Sequence, residues 1–387
     1  MIRLFAFILL VFVAACSGSD SPAEDRAEQL RKSFGEILIG AAGPWSENQN
    51  LLWQGIEMAV DEINLAGGVL NRKIRVIKGD DECSVSKGQI VAQQFAENPN
   101  MVAVIGHSDS YVSLPTSIMY QYYGLLMLSP LSTSSKLTHQ GFNRVFRNIP
   151  EDAIFGEKLA WFCRQKGFRR VMIYHSRNAY GDGLSNVFET KAEEFGITIL
   201  DRMSYDLFSG SRQFQQDLKY WRSNYEFDAI FLAGVIPQAA EFVAVARNLG
   251  ITQPIVGGDG LDDSKLLEIA GPAAEGVYAG SVFDSNDPCP VVQAFCRAFR
   301  TRYAKDPDIA AAQGYDAVKV LAFGIEKAGS VIPDRIAATL RNLDRFSGLT
   351  GAYRFDEHGD VVGRPLVMKL VRNGRFEYAG QFGSGSG

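Results

Sequence analysis

The alternation of short apolar runs with amphipathic stretches constrains this chain more than any other feature. "GEILIGAA" reads as a strand, and "LLWQGIEMAVDEINLAGG" as a helix stopped by Gly67-Gly68. "KIRVIKGD", "SVSKGQIVAQQFAEN", "MVAVIG", "SLPTSIMYQYYG" and "LLMLSP" continue strand, helix, strand, helix, strand. Such an order gives a parallel sheet wrapped by helices, because parallel neighbours need a crossover between them. Near residue 150 the pattern restarts, with "RRVMIYH", "ITILDRMSY", "FDAIFLAG" and "PIVGGDG" as strands between helical stretches. Two long helices follow, and the end turns strand-rich, with Asp356, Gly359 and Asn373-Gly374 as turn signals. The expected architecture is α/β: two Rossmann-like lobes with parallel central sheets, hinge-connected, with a ligand cleft between them. Lobe 1 is expected over 34–149 plus 284–345, and lobe 2 over 150–283 plus 346–382.

The chain opens "MIRLFAFILLVFVAAC", an arginine, a short apolar run and small residues, which is the anatomy of a secretory signal peptide. The run is too short to span a bilayer. "VAAC" resembles the bacterial lipobox, which makes residues 1–16 a lipoprotein signal ending at a lipidated Cys16; cleavage near Ala15 is the alternative. Residues 17–33, polar and small, read as a flexible tether, and 383–387 as a disordered tail. A net charge of −5 with no basic stretch argues against a nucleic-acid partner.

Five cysteines include Cys16, leaving Cys83, Cys163, Cys289 and Cys296. Export permits disulfides, but spacing does not assign them. Cys289 and Cys296 would stand roughly 10 Å apart within one helix, too far for a bridge, yet Cys289 lies between two prolines and could precede the helix. Four scattered histidines, with no CxxC or HExxH, give no support for a metal, and no cofactor is expected.

In open parallel sheets ligands sit beyond the carboxyl ends of the strands. That directs attention to the loops 41–48, 106–110, 129–134, 176–181, 234–237 and 257–263, which two facing lobes would bring to one cleft. In "VIGHSDS" the cluster His107, Ser108, Asp109 and Ser110 poses a choice between hydrolase and grip. A serine nucleophile needs a base that is itself oriented by an acid. Neighbours in one loop rarely reach that geometry, and the GxSxG elbow is missing. Ser110 reads as a helix cap; the same exposed N–H groups attract a carboxylate.

"LSPLSTSSKL" offers Ser129, Ser132, Thr133, Ser134 and Ser135, either as turn residues or as a hydroxyl-rich anion grip. Tyr180 precedes Gly-Asp-Gly and either packs on its lobe or closes over a ligand. Asp259 sits among glycines, either as a helix cap or as the partner of an ammonium group, since buried charge is retained only when paired.

Together these stretches resemble the periplasmic leucine/isoleucine/valine-binding family of ABC-transporter substrate-binding proteins, with the type I periplasmic fold. The likeness runs through "GIEMAVDEINLAGGVLNRKIRVIKGDDEC", "VIGHSDS", "LLMLSPLST", "AYGDGL", "GGDGL", "AAEGVY", "GYDAV" and "GAYRFDEHGD", over about residues 34 to 382. The resemblance implies that Ser108, Asp109 and Ser110, with the hydroxyls of Ser132 and Thr133, hold a ligand carboxylate. It implies that Tyr180 and Asp259 bind the α-amino group from the second lobe. Val235 would wall the side-chain pocket, and the loop of Trp45 would border it.

The sequence departs from the family pattern in "WSEN" after "GP", in Asp109 at a usually uncharged position, in a Cys83 without a nearby partner, and in Asp259 where branched-chain binders carry glutamate. These departures point to a ligand smaller, more polar or aromatic compared with leucine. The implied function is not enzymatic: a monomeric solute-binding protein, periplasmic or on the bacterial cell surface, that delivers an amino acid or similar small carboxylate to an ABC permease. Its only membrane contact would be the N-terminal lipid. A ligand-sensing protein on the same fold and, less favoured, a secreted hydrolase are the alternatives.

Overall fold

The computed structural model describes residues 21–45, 51–206 and 208–382. Helix α1 (Pro22–Arg31) precedes a first α/β unit: β1 (Ile37–Gly43), α2 (Leu52–Leu65), β2 (Ile74–Asp80), α3 (Val85–Glu97), β3 (Met101–Ile105), α4 (Ser110–Tyr122), β4 (Leu126–Ser129) and β5 (Val145–Arg147). The second unit runs α5 (Asp152–Gln165), β6 (Arg170–Ser176), α6 (Ala179–Glu194), β7 (Thr198–Tyr205), α7 (Ser211–Asn224), β8 (Ala229–Ala233), α8 (Gln238–Asn248), β9 (Ile255–Gly257), α9 (Ser264–Ala270) and β10 (Val277–Ser281). Helices α10 (Pro290–Tyr303), α11 (Ile309–Ala328) and α12 (Pro333–Arg341) follow, then β11 (Phe346–Gly348), β12 (Gly351–Tyr353), β13 (Leu366–Arg372) and β14 (Arg375–Phe382).

The first sheet is parallel throughout, in the order β2-β1-β3-β4-β5. Its inner strands are buried on both faces, as the near-continuous apolar runs require: β3 is buried at all five positions, whereas the edge strand β2 is exposed at Arg75, Lys78 and Asp80. The second sheet has the order β14-β13-β10-β9-β8-β6-β7, with β13 and β14 antiparallel at one edge. Asn373 and Gly374, both at positive φ, turn that hairpin. On the first lobe α2 lies hard against α11. A Cβ on Gly55 would stand 1.9 Å from the Ala311 carbonyl oxygen, so only glycine allows that approach.

The chain passes between lobes three times: at 148–152, between β10 and α11, and at 362–365. These crossings are laced together. The Asn148 carbonyl accepts from Gln313 Nε2 at 2.9 Å and from Arg364 Nη1 at 3.4 Å. Asn148 Nδ2 donates to the Gln313 carbonyl at 3.1 Å.

Two boundaries differ from the sequence expectation. Residues 346–361 belong with lobe 1. The β11–β12 hairpin folds over α11, where Asp316 accepts from the backbone N–H groups of Leu349 at 2.8 Å and Thr350 at 3.0 Å. Tyr353, Phe355 and Val361 join the lobe 1 core, and Asp360 pairs with Arg147. The second difference is in the stretch expected to be a tether, where residues 22–31 form a docked helix. Ser21 and Glu24 make a capping box at its start. Arg26, 3% exposed, drives its guanidinium into a nest of carbonyls: Tyr123 at 2.7 Å, Asn98 at 2.7 Å, Met101 at 2.9 Å, and Ala96. These carbonyls lie at or near the C-terminal ends of α3 and α4, where the helix dipole favours a cation. The expected signal peptide, Cys16 and the 383–387 tail lie outside the described residues.

Among the described residues, Cys83, Cys163, Cys289 and Cys296 form no disulfide. Cys289 is exposed at the start of α10, and Cys296 points into the core.

Candidate functional site

A cavity of about 550 Å³ lies where the strand-end loops of the two lobes meet. Six of the nine expected residues line it: Ser108, Asp109, Ser110, Tyr180, Val235 and Asp259. The first three come from the β3–α4 turn of lobe 1. Val112 and Ser113 donate to the Asp109 carbonyl, whereas the N–H groups of Ser110 and Tyr111 begin the helix, where no intrahelical acceptor exists. The Ser110 hydroxyl accepts from the Ser134 N–H at 3.3 Å, tying two serine-rich loops together. The Ser108 hydroxyl is buried without a hydrogen-bond partner.

From lobe 2, Asn178 caps α6 by accepting from the N–H groups of Tyr180 at 3.1 Å and Gly181 at 3.0 Å, which fixes Tyr180 at the first turn. The Tyr180 hydroxyl donates to Asp259 Oδ1 and accepts from the Gly260 N–H, each at 3.1 Å. A Cβ on Gly260 would come within 2.9 Å of that hydroxyl, so the glycine run of "GGDGL" is what lets the ring in. Burial pushes the Asp259 carboxyl up to about 7 against the Tyr180 hydrogen bond, with Asp262 adding to the rise.

Three expected residues are placed elsewhere. Ser132 is wholly buried, with its hydroxyl 2.5 Å from Ser113 Oγ and 3.2 Å from the His107 and Ser108 carbonyls. It braces the turn behind the cavity. Trp45 lies over the β2 edge, donating from Nε1 to the Gly79 carbonyl at 2.8 Å beside Trp53 and Lys78; its neighbour Pro44 is the residue that borders the cavity. Thr133 is buried outside the lining, next to a residue the sequence reading passed over.

That residue is Asp152, at the first crossing between lobes. It is 1% exposed, and neither carboxylate oxygen has a well-formed hydrogen bond; nor has the Thr133 hydroxyl. Burial raises its carboxyl to about 8; Thr133 and Arg147 oppose the rise, and Asp259 and Glu151 add to it. Two carboxyls, Asp152 and Asp259, thus sense each other across the hinge side of the cleft. In sequence "PEDAIF" reads only as an acidic first helical turn.

His107 is held away from any serine. Its Nδ1 meets Asp81 Oδ2 at 2.6 Å and its Nε2 meets the Tyr120 hydroxyl at 3.0 Å, all three buried. A second cluster, His139, Glu151 and Asp360, brings donor atoms within 4.8 Å of one another. The Arg147 guanidinium is paired to Asp360 there and stands 3.8 Å from Glu151, so the place already holds its cation.

The sequence signature described as "Periplasmic binding protein" matches residues 37–375. The "Leucine-, isoleucine-, valine-, threonine-, and alanine-binding protein" of Pseudomonas aeruginosa is 28% identical over 82% of this chain and 84% of its own. An ABC transporter substrate-binding protein from Desulfitobacterium hafniense, solved in complex with Leu, is 40% identical over 89% of this chain and 100% of that one, with a TM-score of 0.79. The leucine-binding protein LivK of Thermotoga maritima is 29% identical over 90% of this chain and 99% of that one, with a TM-score of 0.83.

Proposed function

Because the chain belongs to the periplasmic binding protein family, we propose that it is the extracytoplasmic solute-binding component of an ABC importer, and that it takes an α-amino acid between its lobes for delivery to a membrane permease. One observation carries this: the cavity has a helix start with free N–H groups on lobe 1 and a Tyr180–Asp259 pair on lobe 2. The first suits a carboxylate; the second, with the buried Asp152 carboxyl coupled to Asp259 behind it, suits an ammonium group. An amino acid is the small molecule that carries both. Binding at both poles favours the closed arrangement, the form recognised by the permease.

The relatives named above are described as binding leucine, isoleucine, valine, threonine and alanine, or were solved with Leu, which supports an amino-acid ligand here. The family implies a periplasmic location. Lipidation of Cys16 would hold the protein at the membrane surface. A thermal-shift screen of the twenty amino acids tests the ligand class. A native-state ligand at a hundred times its Kd stabilises by about 2.7 kcal/mol, so at least one amino acid should raise the Tm by several degrees. If none does, the amino-acid reading is wrong.

A further inference from the structure

Given an amino acid in this cleft, as proposed above, we infer that its side chain ends in a second cationic group received by Asp109, so that the substrate class is the basic amino acids. Asp109 is the N-cap residue of α4, a position where aspartate ordinarily accepts from the helix's first N–H groups. Here its side chain makes no capping bond and lines the cavity instead. Among the described residues it has no ion pair.

The rest of the lining sharpens the contrast. Among the described residues the lining holds five aspartates, Asp109, Asp259, Asp262, Asp263 and Asp308, against one cation, Lys265. Asp262 is bound by Lys369 at 2.8 Å. Asp263 accepts from the Lys265 N–H at 2.9 Å, and Asp308 from the N–H groups of Ala311 and Leu51 at 2.7 and 3.1 Å. Asp109 and Asp259 remain as the acids facing the ligand space.

They form two separate poles. Asp259 is electrostatically coupled to Asp152, whereas Asp109 is coupled to Asp81 and touched by the Cys83 thiol. Burial raises the Asp109 carboxyl to about 6, with the neighbouring Asp81 adding to the rise, and the residue stays partly accessible from the cavity. The lining also carries Leu131, Val235, Ile236 and Ile309, an aliphatic surface on which methylenes can lie while a charged head reaches a carboxylate. A lysine, ornithine or arginine side chain has that form. A leucine side chain would leave Asp109 desolvated and uncompensated.

The test is calorimetric titration of the whole protein at pH 7.5 with L-lysine, L-ornithine, L-arginine and L-leucine. At least one basic amino acid should bind ten or more times tighter than leucine, that is about 1.4 kcal/mol or more. Asp109→Asn should lower that preference at least tenfold, and Asp109→Glu, which keeps the charge, should retain most of it. Leucine binding the parent more tightly than any basic amino acid overturns the inference and leaves the amino-acid reading standing. So does an unaltered preference in Asp109→Asn. Binding by neither class overturns both.

Discussion

The Tyr180 hydroxyl bridges Asp259 Oδ1 and the Gly260 N–H, 3.1 Å from each, so one phenol fixes both the acid and the loop that carries it. Tyr180→Phe removes the side-chain donor to the Asp259 carboxylate. A hydrogen bond to a charged group contributes about 1.5–3 kcal/mol, so calorimetry with lysine and leucine should show both weakened about tenfold or more. Asp259→Asn should weaken both further, because an ammonium closed into a cleft without its counter-charge costs about 2–5 kcal/mol. Parental affinity in Asp259→Asn would remove lobe 2 from the amine site.

The pH dependence follows from Asp152 and Asp259, raised to about 8 and about 7. A ligand ammonium favours the ionised carboxylates, so binding should release protons and tighten as pH rises from about 6 to 8. Calorimetry in phosphate and in Tris should give different apparent enthalpies of the sign expected for release. Stability of the free protein runs the opposite way. Between the unfolded carboxyl value near 4 and these folded values, the native state holds more protons, so stability is lost as pH rises through that window. Asp152→Asn removes one such group. It should raise the Tm of the ligand-free protein at pH 8 while weakening amino-acid binding. A lowered Tm at pH 8 would contradict this account of Asp152.

Much of this was legible in the chain, and the exceptions have physical reasons. Strands buried on both faces and helices stopped by glycine announce themselves, hence the two sheets. That Asp109, Tyr180 and Asp259 line one cavity follows from the convergence of the strand-end loops. Asp152 does not follow in this way, because it lies at a helix start beyond β5, and only the lobe-to-lobe crossing brings it beside Thr133 and Asp259. The β11–β12 hairpin has three-residue strands, too short for a period of two to show which lobe they cover. Helix α1 had a signal, the capping box in "SPAE", overlooked because the flanking composition is polar and small.

His107→Ala should destabilise without touching ligand chemistry. It strands Asp81 Oδ2 and the Tyr120 hydroxyl in the core, and a buried polar group left unpaired costs about 1–3 kcal/mol. Denaturant midpoints should fall while the affinity of correctly folded protein stays within about threefold. Loss of binding without loss of stability would give His107 a direct role.

Arg26→Ala should undock α1. Four carbonyls lose their charged donor, so amide exchange across 22–31 should speed up at least tenfold, with ligand affinity unchanged. Slow exchange would show that apolar packing alone holds the helix.

Cys16→Ala tests the anchor. The parent should sediment with membranes and the variant should appear in the soluble periplasmic fraction. Equal retention on membranes would dismiss the lipid.

The lacing of Asn148 to Gln313 and Arg364 has a mechanical consequence. Two rigid bodies joined by one strand can roll and twist in any direction; joined by three strands bonded to one another, they keep chiefly a single swing about the line through the joints. The unliganded protein therefore samples a narrow path of jaw angles. Closing on a solute surrenders little orientational freedom, and the face shown to the permease is set by one coordinate, the opening angle.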